Sequence, residues 1–315
     1  MISVIVCTYN RCESIRDTIN SLLTQQCSST FDYEIIIIDN NSTDNTKHIA
    51  MEYVQKNAHV KYAFETKQGV SYAKNRGLEE AKGEIIAFTD DDVIVDKKWL
   101  NNIFLSFKNN NADCVGGKIL PIWHNTPPTW LSKKLYGKLA LLDYGNESFE
   151  IKFGDMHNIF GANYAFKKHI FVKYGLFRTD LGRRGKRLFS GEDTAYIELL
   201  LKNQAKVIYE PSAIVYHKVN DKRLRKSYFR KWHFYTGIST ALSDSEDRVI
   251  KTFFDVPRYL IRDFFSAVKG YCKFMTKKDW KEVFNFECKI IFYLSYFSTK
   301  IKHYLKLSKK KHASS

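Results

Sequence analysis

The chain has 315 residues, of which 44% are hydrophobic and 15% aromatic, and this composition argues against a chain that is disordered throughout. The formal net charge of +16 is unevenly distributed along the sequence. Residues 1–217 carry 27 basic and 25 acidic side chains, whereas residues 218–315 carry 23 and 9. We therefore expect a nearly neutral body and a basic extension with different partners.

The cysteines and the chain start indicate a reducing, cytoplasmic compartment. The six cysteines form no C-x-x-C pair, which argues against a zinc site and a disulfide framework: Cys7, Cys12, Cys27, Cys114, Cys272 and Cys288. The opening Met-Ile-Ser-Val-Ile-Val has the pattern of a strand and not of a signal peptide. The most apolar late stretch, 290–297, is far shorter than the roughly 18 residues of a transmembrane helix.

Strand and helix patterns alternate through the first part of the chain. Short β-branched or continuously apolar runs predict strands at 3–7, 33–38, 60–64 and 84–88. Helical spacing of apolar residues follows the first three runs, for example at 71–81. This alternation predicts an α/β fold with a doubly wound, mostly parallel sheet.

Acidic residues stand at the ends of two predicted strands. Asp39 ends the second, and Asp90, Asp91 and Asp92 follow the fourth, at the edge where open α/β sheets bind ligands. Three adjacent carboxylates repel one another unless a cation holds them, and divalent metals with phosphate oxygens are the usual solution. The alternatives are a solvated turn for the triplet and a helix cap for Asp39. No G-x-G-x-x-G or Walker A loop follows the first strand, which argues against dinucleotide and P-loop enzymes.

Five motifs resemble family 2 glycosyltransferases of GT-A fold, in order and spacing, up to about residue 240. They are SVIVCTYNR, IIIIDNNSTDNT, QGVSYAKNRGLEEAKGEIIAFTDDDV, GANYAFKK and SGEDTAYIELLL. The resemblance implies that the base, ribose or diphosphate of a nucleotide sugar is contacted by Thr8, Tyr9, Asp39 and Arg76. We assign five more residues of these motifs to the same site: Asn10, Asp90, Asp91, Gly161 and Asn163.

The resemblance also implies the metal and the base. Asp92 is expected to bind Mn²⁺ or Mg²⁺, and His217 resembles the histidine that completes the metal site in some members. Asp193 is expected to be the general base that takes the proton of the acceptor hydroxyl, with inversion at the sugar. The alternatives are Glu192 as the base with Asp193 as a helix cap, and a structural role for His217.

Two groups of basic residues leave alternatives open. Lys74 and Arg76 are two positions apart on one helix and do not share a face, and we favour Arg76 for the diphosphate because its guanidinium suits paired oxygens. A basic run before the Gly-Glu-Asp motif predicts a loop over the diphosphate or a solvated surface: Arg183, Arg184, Lys186 and Arg187.

The basic extension has apolar and lysine-rich faces at 253–275 and 280–307, followed by Lys309, Lys310 and Lys311. Such helices are typical of an anionic membrane interface, and packing within the protein is the alternative.

We predict a GT-A catalytic domain at 1–217, with nucleotide-binding half 1–112 and acceptor half 113–217, and a helical extension at 218–315 that attaches to the inner face of the membrane. The expected function is inverting transfer from a nucleotide sugar, UDP-sugar favoured, to a glycan or lipid-linked acceptor in surface polysaccharide synthesis. The rivals are a nucleic-acid-binding protein, for which the extension contains no recognised module, and a sugar-phosphate nucleotidyltransferase, which lacks its glycine-rich loop.

Overall fold

A computed structural model describes residues 1–27, 31–183, 191–243 and 252–313. Its strands are β1 (Ile2–Thr8), β2 (Tyr33–Asp39), β3 (Val60–Phe64), β4 (Ile85–Asp90), β5 (Val93–Val95), β6 (Cys114–Trp123), β7 (Phe149–Ile151), β8 (Tyr164–Lys167), β9 (Val207–Val219), β10 (Thr252–Phe253) and β11 (Val256–Pro257). Its α-helices are α1 (Ile15–Leu23), α2 (Thr46–Lys56), α3 (Val70–Glu80), α4 (Trp99–Asn110), α5 (His169–Tyr174), α6 (Glu192–Lys202), α7 (Lys226–Ser243), α8 (Arg258–Thr276) and α9 (Trp280–Ala313). Short 3₁₀ helices lie at Lys133–Leu139 and Asp221–Leu224.

The described residues form one large sheet in the order β3-β2-β1-β4-β8-β6-β9-β5, with β7 also paired to β9. The first four strands pair in parallel, as the helical crossovers between them require. Strand β8 runs antiparallel between β4 and β6, and β6 pairs in parallel with β9. The α/β fold class and the doubly wound first half are therefore confirmed, and the antiparallel pairs come from β5, β7 and β8.

The core of the sheet follows from its sequence. Ile35 to Ile38 in β2 have no exposed surface, as expected for a strand covered on both faces. Ile15, Ile19 and Leu22 lie on one side of α1 and are also fully buried. The predicted strands and helices of this half agree with the observed ones to within two residues at most ends.

The chain divides into two compact units. Unit 1 contains the described residues 1–124, 140–183 and 192–219, and unit 2 contains 125–139, 191, 220–243 and 252–313. Residues 125–139, predicted for the acceptor half, belong to unit 2. The reason is local: the Trp130 ring lies edge-on to Phe229 and Phe284, at centroid distances of 5.5 and 4.9 Å, and the Ser132 hydroxyl donates to Asn285.

Unit 2 uses part of its apolar surface for its own packing. Helix α9 buries Phe284, Cys288 and Tyr296, so packing within the protein accounts for part of the predicted stripe. Other large side chains stay exposed: Phe253, Phe254, Tyr259, Phe265, Trp280, Leu294 and Leu305. The side chains of Lys309, Lys310 and Lys311 lie outside the described part of the chain. In that part, no helix combines the length and the hydropathy needed to cross a membrane.

Candidate functional site

The predicted acidic residues meet at one edge of the sheet. Strand β1 lies between β2 and β4, and its last residues Cys7 and Thr8 are opposite Asp90 and Asp39. Because neighbouring strands are about 4.8 Å apart, Asp39 and Asp90 flank the end of β1 at the carboxyl edge.

Asp39 stabilises the turn that follows β2, and Asn10 links the turn that follows β1 to it. The Asp39 carboxylate is buried; one oxygen accepts the Ser42 N–H at 2.9 Å and the other accepts the Tyr62 hydroxyl at 3.0 Å. Asn10 adopts a left-handed backbone, and its side-chain oxygen accepts the Thr43 N–H at 2.8 Å. Asp39 thus caps the turn after β2 and not the helix α2, which begins at Thr46.

In the aspartate triplet, Asp91 and Asp92 are buried and Asp90 is half-buried, and the neighbouring carboxylates repel one another. Burial and the neighbouring Asp92 carboxylate raise the pKa of Asp91 to about 7, and burial also raises the pKa of Asp90. The Arg11 guanidinium lies over the pair, with nitrogens 3.7 Å from an Asp91 oxygen and 3.5 Å from an Asp92 oxygen. Arg11 follows directly on the Thr8-Tyr9-Asn10 turn, but it was not among the predicted site residues.

Strand pairing brings His217 to Asp92. His217 in β9 is opposite Val93 in β5, and the Lys218 N–H donates to the Asp92 carbonyl. The His217 Nε2 atom consequently lies 3.2 Å from Asp92 Oδ1, and the imidazole is buried. The two residues predicted for the metal are therefore adjacent.

The side chains near Asp92 provide only some of the ligands that a metal ion needs. Within the described residues, no three His, Cys, Asp or Glu side chains gather as a group that could hold an ion. Asp92 and His217 supply two potential ligands, and a divalent cation that shares its coordination with diphosphate oxygens needs few protein ligands. The clustered carboxylates with a raised pKa have the chemistry to attract such a cation.

A second polar cluster surrounds Asp193 in the first turn of α6, where the helix dipole favours acidic side chains. Asp193 Oδ1 accepts the Lys74 ammonium and the Tyr164 hydroxyl, the latter at 2.6 Å. Asp193 Oδ2 accepts the Gly161 N–H at 2.9 Å. The Lys74 ammonium also donates to Glu192 at 3.1 Å, so it bridges the two carboxylates predicted as alternative bases.

Cys7 at the end of β1 is affected by charges of both clusters. The residue is half-buried, and the pKa of its thiol is raised to about 12, mainly because the thiol is shielded from solvent. The charges that act on it include Asp90 and Asp91 from the triplet and Lys74 and Asp193 from the second cluster. The Thr89 hydroxyl, next to Asp90, donates to the Ala162 carbonyl at 2.9 Å, and the neighbouring Gly161 N–H donates to Asp193. The triplet and the predicted base therefore lie close together at this edge of the sheet.

Two residues that were predicted to bind the nucleotide sugar, Asn163 and Arg76, have side chains that contact other protein groups. The Asn163 amide is buried; its oxygen accepts the Trp99 indole N–H at 2.8 Å, and its nitrogen donates to the carbonyls of Lys118 and Ala213. It connects α4 with strands of the sheet, and its binding of the nucleotide sugar stays a prediction. The guanidinium of Arg76 pairs with Glu79 and Glu80 of its own helix, whereas Lys74 supplies the buried cation of the site.

The positions of Lys74 and Arg76 along α3 distinguish the buried cation from the exposed one. Lys74 lies three residues after Ser71 and four before Leu78, both buried, whereas Arg76 precedes Glu79 and Glu80 by three and four. Of the predicted basic loop, Arg183 is described, and its charge acts on Asp90. Arg184, Lys186 and Arg187 lie outside the described residues.

Comparison with known proteins identifies the family of the chain. Residues 3–175 match the family described as Glycosyl transferase family 2, so the chain belongs to that family. The chain is 27% identical over 247 residues to a glucosyl-dolichyl phosphate glucuronosyltransferase of Haloferax volcanii, and the match covers 77% of each chain. Further curated relatives are matched over shorter segments, from 26% to 39% of their own length.

Solved structures share the fold. S. aureus TarS 1–349 in complex with UDP-GlcNAc is 17% identical, with a TM-score of 0.56 over 91% of this chain and 90% of that one. The mannosyltransferase PcManGT from Pyrobaculum calidifontis, in complex with GDP-Man and Mn²⁺, is 16% identical, with a TM-score of 0.56 over 99% of this chain and 79% of that one. The expected GT-A fold is thereby confirmed, and family membership sets the nucleotidyltransferase alternative aside.

Proposed function

We propose that this glycosyltransferase moves a sugar, with inversion, from a nucleoside diphosphate sugar to a hydroxyl of a glycan or lipid-linked oligosaccharide in surface polysaccharide synthesis. The observation that carries the proposal is the proximity of Asp193 to the aspartate triplet: Thr89, next to Asp90, donates to the Ala162 carbonyl, and the adjacent Gly161 N–H donates to Asp193. One cluster suits a diphosphate with its cation, and the other offers a carboxylate to a hydroxyl.

The reaction needs a group that removes a proton. The acceptor oxygen attacks the anomeric carbon as the bond from that carbon to the phosphate oxygen breaks, and the bonding electron pair leaves with the diphosphate. The proton of the acceptor hydroxyl moves to the Asp193 carboxylate. Glu192 is the weaker candidate, because its side chain is only 10% exposed, whereas that of Asp193 is 20% exposed.

The residues at the carboxyl edge bind and orient the donor in this proposal. In this proposal the Asp39 carboxylate accepts the imide proton of uracil, which favours a UDP-sugar. Arg11, with its guanidinium over Asp91 and Asp92, supplies positive charge next to the diphosphate position. Asp92 and His217 would hold Mn²⁺ or Mg²⁺, which when bound neutralises charge on the leaving diphosphate.

A lipid-linked acceptor agrees with the character of unit 2. The relative from Haloferax volcanii is named for a dolichyl phosphate substrate, and the exposed rings of unit 2 suit a lipid interface. Phe253 and Phe254 lie side by side in the hairpin of β10 and β11, with ring centroids 4.5 Å apart. The exposed Arg258 and Arg262 follow and carry charge that complements anionic lipid. We place the protein on the cytoplasmic face of a membrane.

A screen of nucleotide sugars tests the proposed activity. Thermal shift with UDP-, GDP- and other nucleotide sugars, each with and without Mn²⁺ or Mg²⁺, identifies the donor, and radiolabelled transfer to lipid-linked acceptors follows. Asp193→Asn should abolish transfer and leave nucleotide affinity unchanged, because the amide cannot take the proton. Full turnover in this variant would remove Asp193 from the mechanism.

A further inference from the structure

Lys74 is a buried charge whose position the overall reaction does not explain. It lies in the middle of α3 with 4% of its surface exposed, and its ammonium contacts Asp193 and Glu192. The rings of Tyr164 and Phe177 lie 5.6 and 5.3 Å from it. An ammonium in such surroundings is costly unless it is well paired, and such groups often have a role in the site.

The contacts of Asp193 differ between its two oxygens. Among the residues that the structure describes, Oδ1 accepts both the Lys74 ammonium and the Tyr164 hydroxyl, whereas Oδ2 accepts only the Gly161 N–H. A carboxylate oxygen has about two positions for hydrogen bonds. Both positions of Oδ1 are therefore occupied, and one position of Oδ2 is open to another donor.

The glycine at 161 is part of this arrangement. A Cβ atom built there would lie 2.6 Å from Asp193 Oδ2 and 3.1 Å from the Lys74 nitrogen. Any side chain at position 161 would displace the carboxylate or the ammonium. The Gly161 N–H thus holds Oδ2 while Lys74 and Tyr164 hold Oδ1, so both carboxylate oxygens are oriented.

We infer that Lys74 is a positioning residue for Asp193: with the Tyr164 hydroxyl it immobilises Oδ1, and it leaves Oδ2 as the atom that takes the acceptor proton. The inference rests on the proposed function. In the transfer step the proton of the acceptor hydroxyl moves to Oδ2 while the acceptor oxygen bonds to the anomeric carbon and the diphosphate leaves. Glu192 serves as the second counter-ion of Lys74, which assigns different roles to the two adjacent carboxylates.

Three variants of the full chain test the inference: Lys74→Met, Lys74→Arg and Tyr164→Phe. Lys118→Met is the matched control, since Lys118 is also a buried, paired lysine of unit 1 and contacts Asp143 and Asn146. We expect Lys74→Met to lower kcat about 100-fold, as for a misplaced reacting group, with the Kd for UDP within about threefold of wild type. Tyr164→Phe should lower kcat by about tenfold, because it removes one hydrogen bond and no charge.

The pH profile separates positioning from a merely structural role. Four titratable groups face Asp193: Lys74 from α3, Tyr164 from β8, Glu192 from its own helix and Cys7 from β1. Removal of the ammonium makes the ionised carboxylate less favourable, so the acidic limb of the kcat profile should move to higher pH in Lys74→Met. Lys74→Arg keeps the charge, so the acidic limb of its kcat profile should lie at the same pH as in wild type.

Thermal melting of each variant identifies loss of fold, and Tyr164→Phe, which keeps all charges, provides the test if Lys74→Met does not fold. Wild-type kcat in Tyr164→Phe, or loss of UDP affinity with an unmoved acidic limb in a folded Lys74→Met, would overturn the inference. Failure of the proposed function would give a different result. The wild-type protein would then transfer no sugar from any nucleotide sugar, or Asp193→Asn would remain active.

Discussion

The His217 Nε2 atom lies 3.2 Å from Asp92 Oδ1, although the two residues come from distant parts of the sequence. The antiparallel pairing of β9 with β5, directly after the aspartate triplet, creates this contact. Buried imidazole and carboxylate groups at this distance suit a shared cation, and the same contact without a cation is an ion pair or a hydrogen bond. Metal binding distinguishes these two roles.

We expect His217→Ala to weaken Mn²⁺ binding in the presence of UDP by about 10- to 100-fold, because a ligand or its direct partner is lost. Electron paramagnetic resonance of free Mn²⁺ measures this affinity without reference to turnover. His157→Ala is the control, since His157 is an exposed histidine of unit 1. Equal Mn²⁺ affinity in wild type and His217→Ala would assign His217 a structural role.

Substitutions of Arg76 and Lys74 should differ in their effect on turnover and not in their effect on UDP binding. Arg76→Gln breaks only ion pairs with Glu79 and Glu80 on the helix surface, which contribute little. We expect its Kd for UDP and its kcat to stay within about twofold of wild type. Isothermal titration and steady-state kinetics measure both. A loss of UDP affinity of tenfold or more would restore Arg76 to the diphosphate site.

The edge of the sheet was predictable because its signals are local. Continuous apolar runs identified β1, β2 and β4, and the polar residue at each strand end then had to lie at the carboxyl edge. This reasoning placed Asp39 and Asp90 correctly at strand ends. The Asp193 position also followed from its motif at the start of a helix.

The sequence does not show which distant residue each polar side chain contacts in the folded protein. Nothing in the Gly-Ala-Asn motif shows that Asn163 reaches Trp99 in α4. The contact of Tyr164 with Asp193 likewise depends on the insertion of β8 between β4 and β6. Roles of this kind depend on contacts across the sheet, which no local spacing encodes.

Asn163→Ala should lower stability and not donor binding. The substitution removes three hydrogen bonds and leaves the Trp99 indole and the carbonyls of Lys118 and Ala213 buried without this partner. We expect the free energy of unfolding to fall by about 2–4 kcal/mol, as measured by urea titration. Asn109→Ala, at an exposed position of α4, is the control. Unchanged stability together with lost UDP affinity would return Asn163 to the binding site.

Membrane attachment can be tested at the hairpin of unit 2. Phe254 and Asp255 both have left-handed backbone conformations, which are unfavourable for a bulky residue, and the turn leaves Phe253 58% exposed. Replacement of Phe253 and Phe254 by Ser should reduce sedimentation with anionic vesicles at least tenfold, since burial of each ring contributes about 1.5–3 kcal/mol. Phe153→Ser is a matched control, because Phe153 of unit 1 is also 58% exposed.

A second experiment compares binding of the protein to vesicles of different lipid composition. Vesicles with phosphatidylserine should bind the wild-type protein more strongly than neutral vesicles, and added salt should weaken the difference. Binding to neither vesicle, together with a gel shift of nucleic acid at physiological salt, would favour the rival partner for the basic extension.

His233 gives unit 2 a stability that depends on pH. Burial, followed by the charge of Lys138, lowers the pKa of His233 to about 4, and its Nδ1 atom lies 2.9 Å from the Phe229 carbonyl. In the unfolded chain the histidine titrates near 6.5, so the unfolded state binds an additional proton as the pH falls below that value. The stability due to neutral His233 is complete above about pH 6.5 and is lost as the pH falls towards 4, by up to about 3 kcal/mol. His233→Leu should remove this dependence, so urea titrations at pH 7.5 and 5 should differ less in the variant than in wild type. An equal loss of stability in both proteins would show that other groups cause the pH dependence.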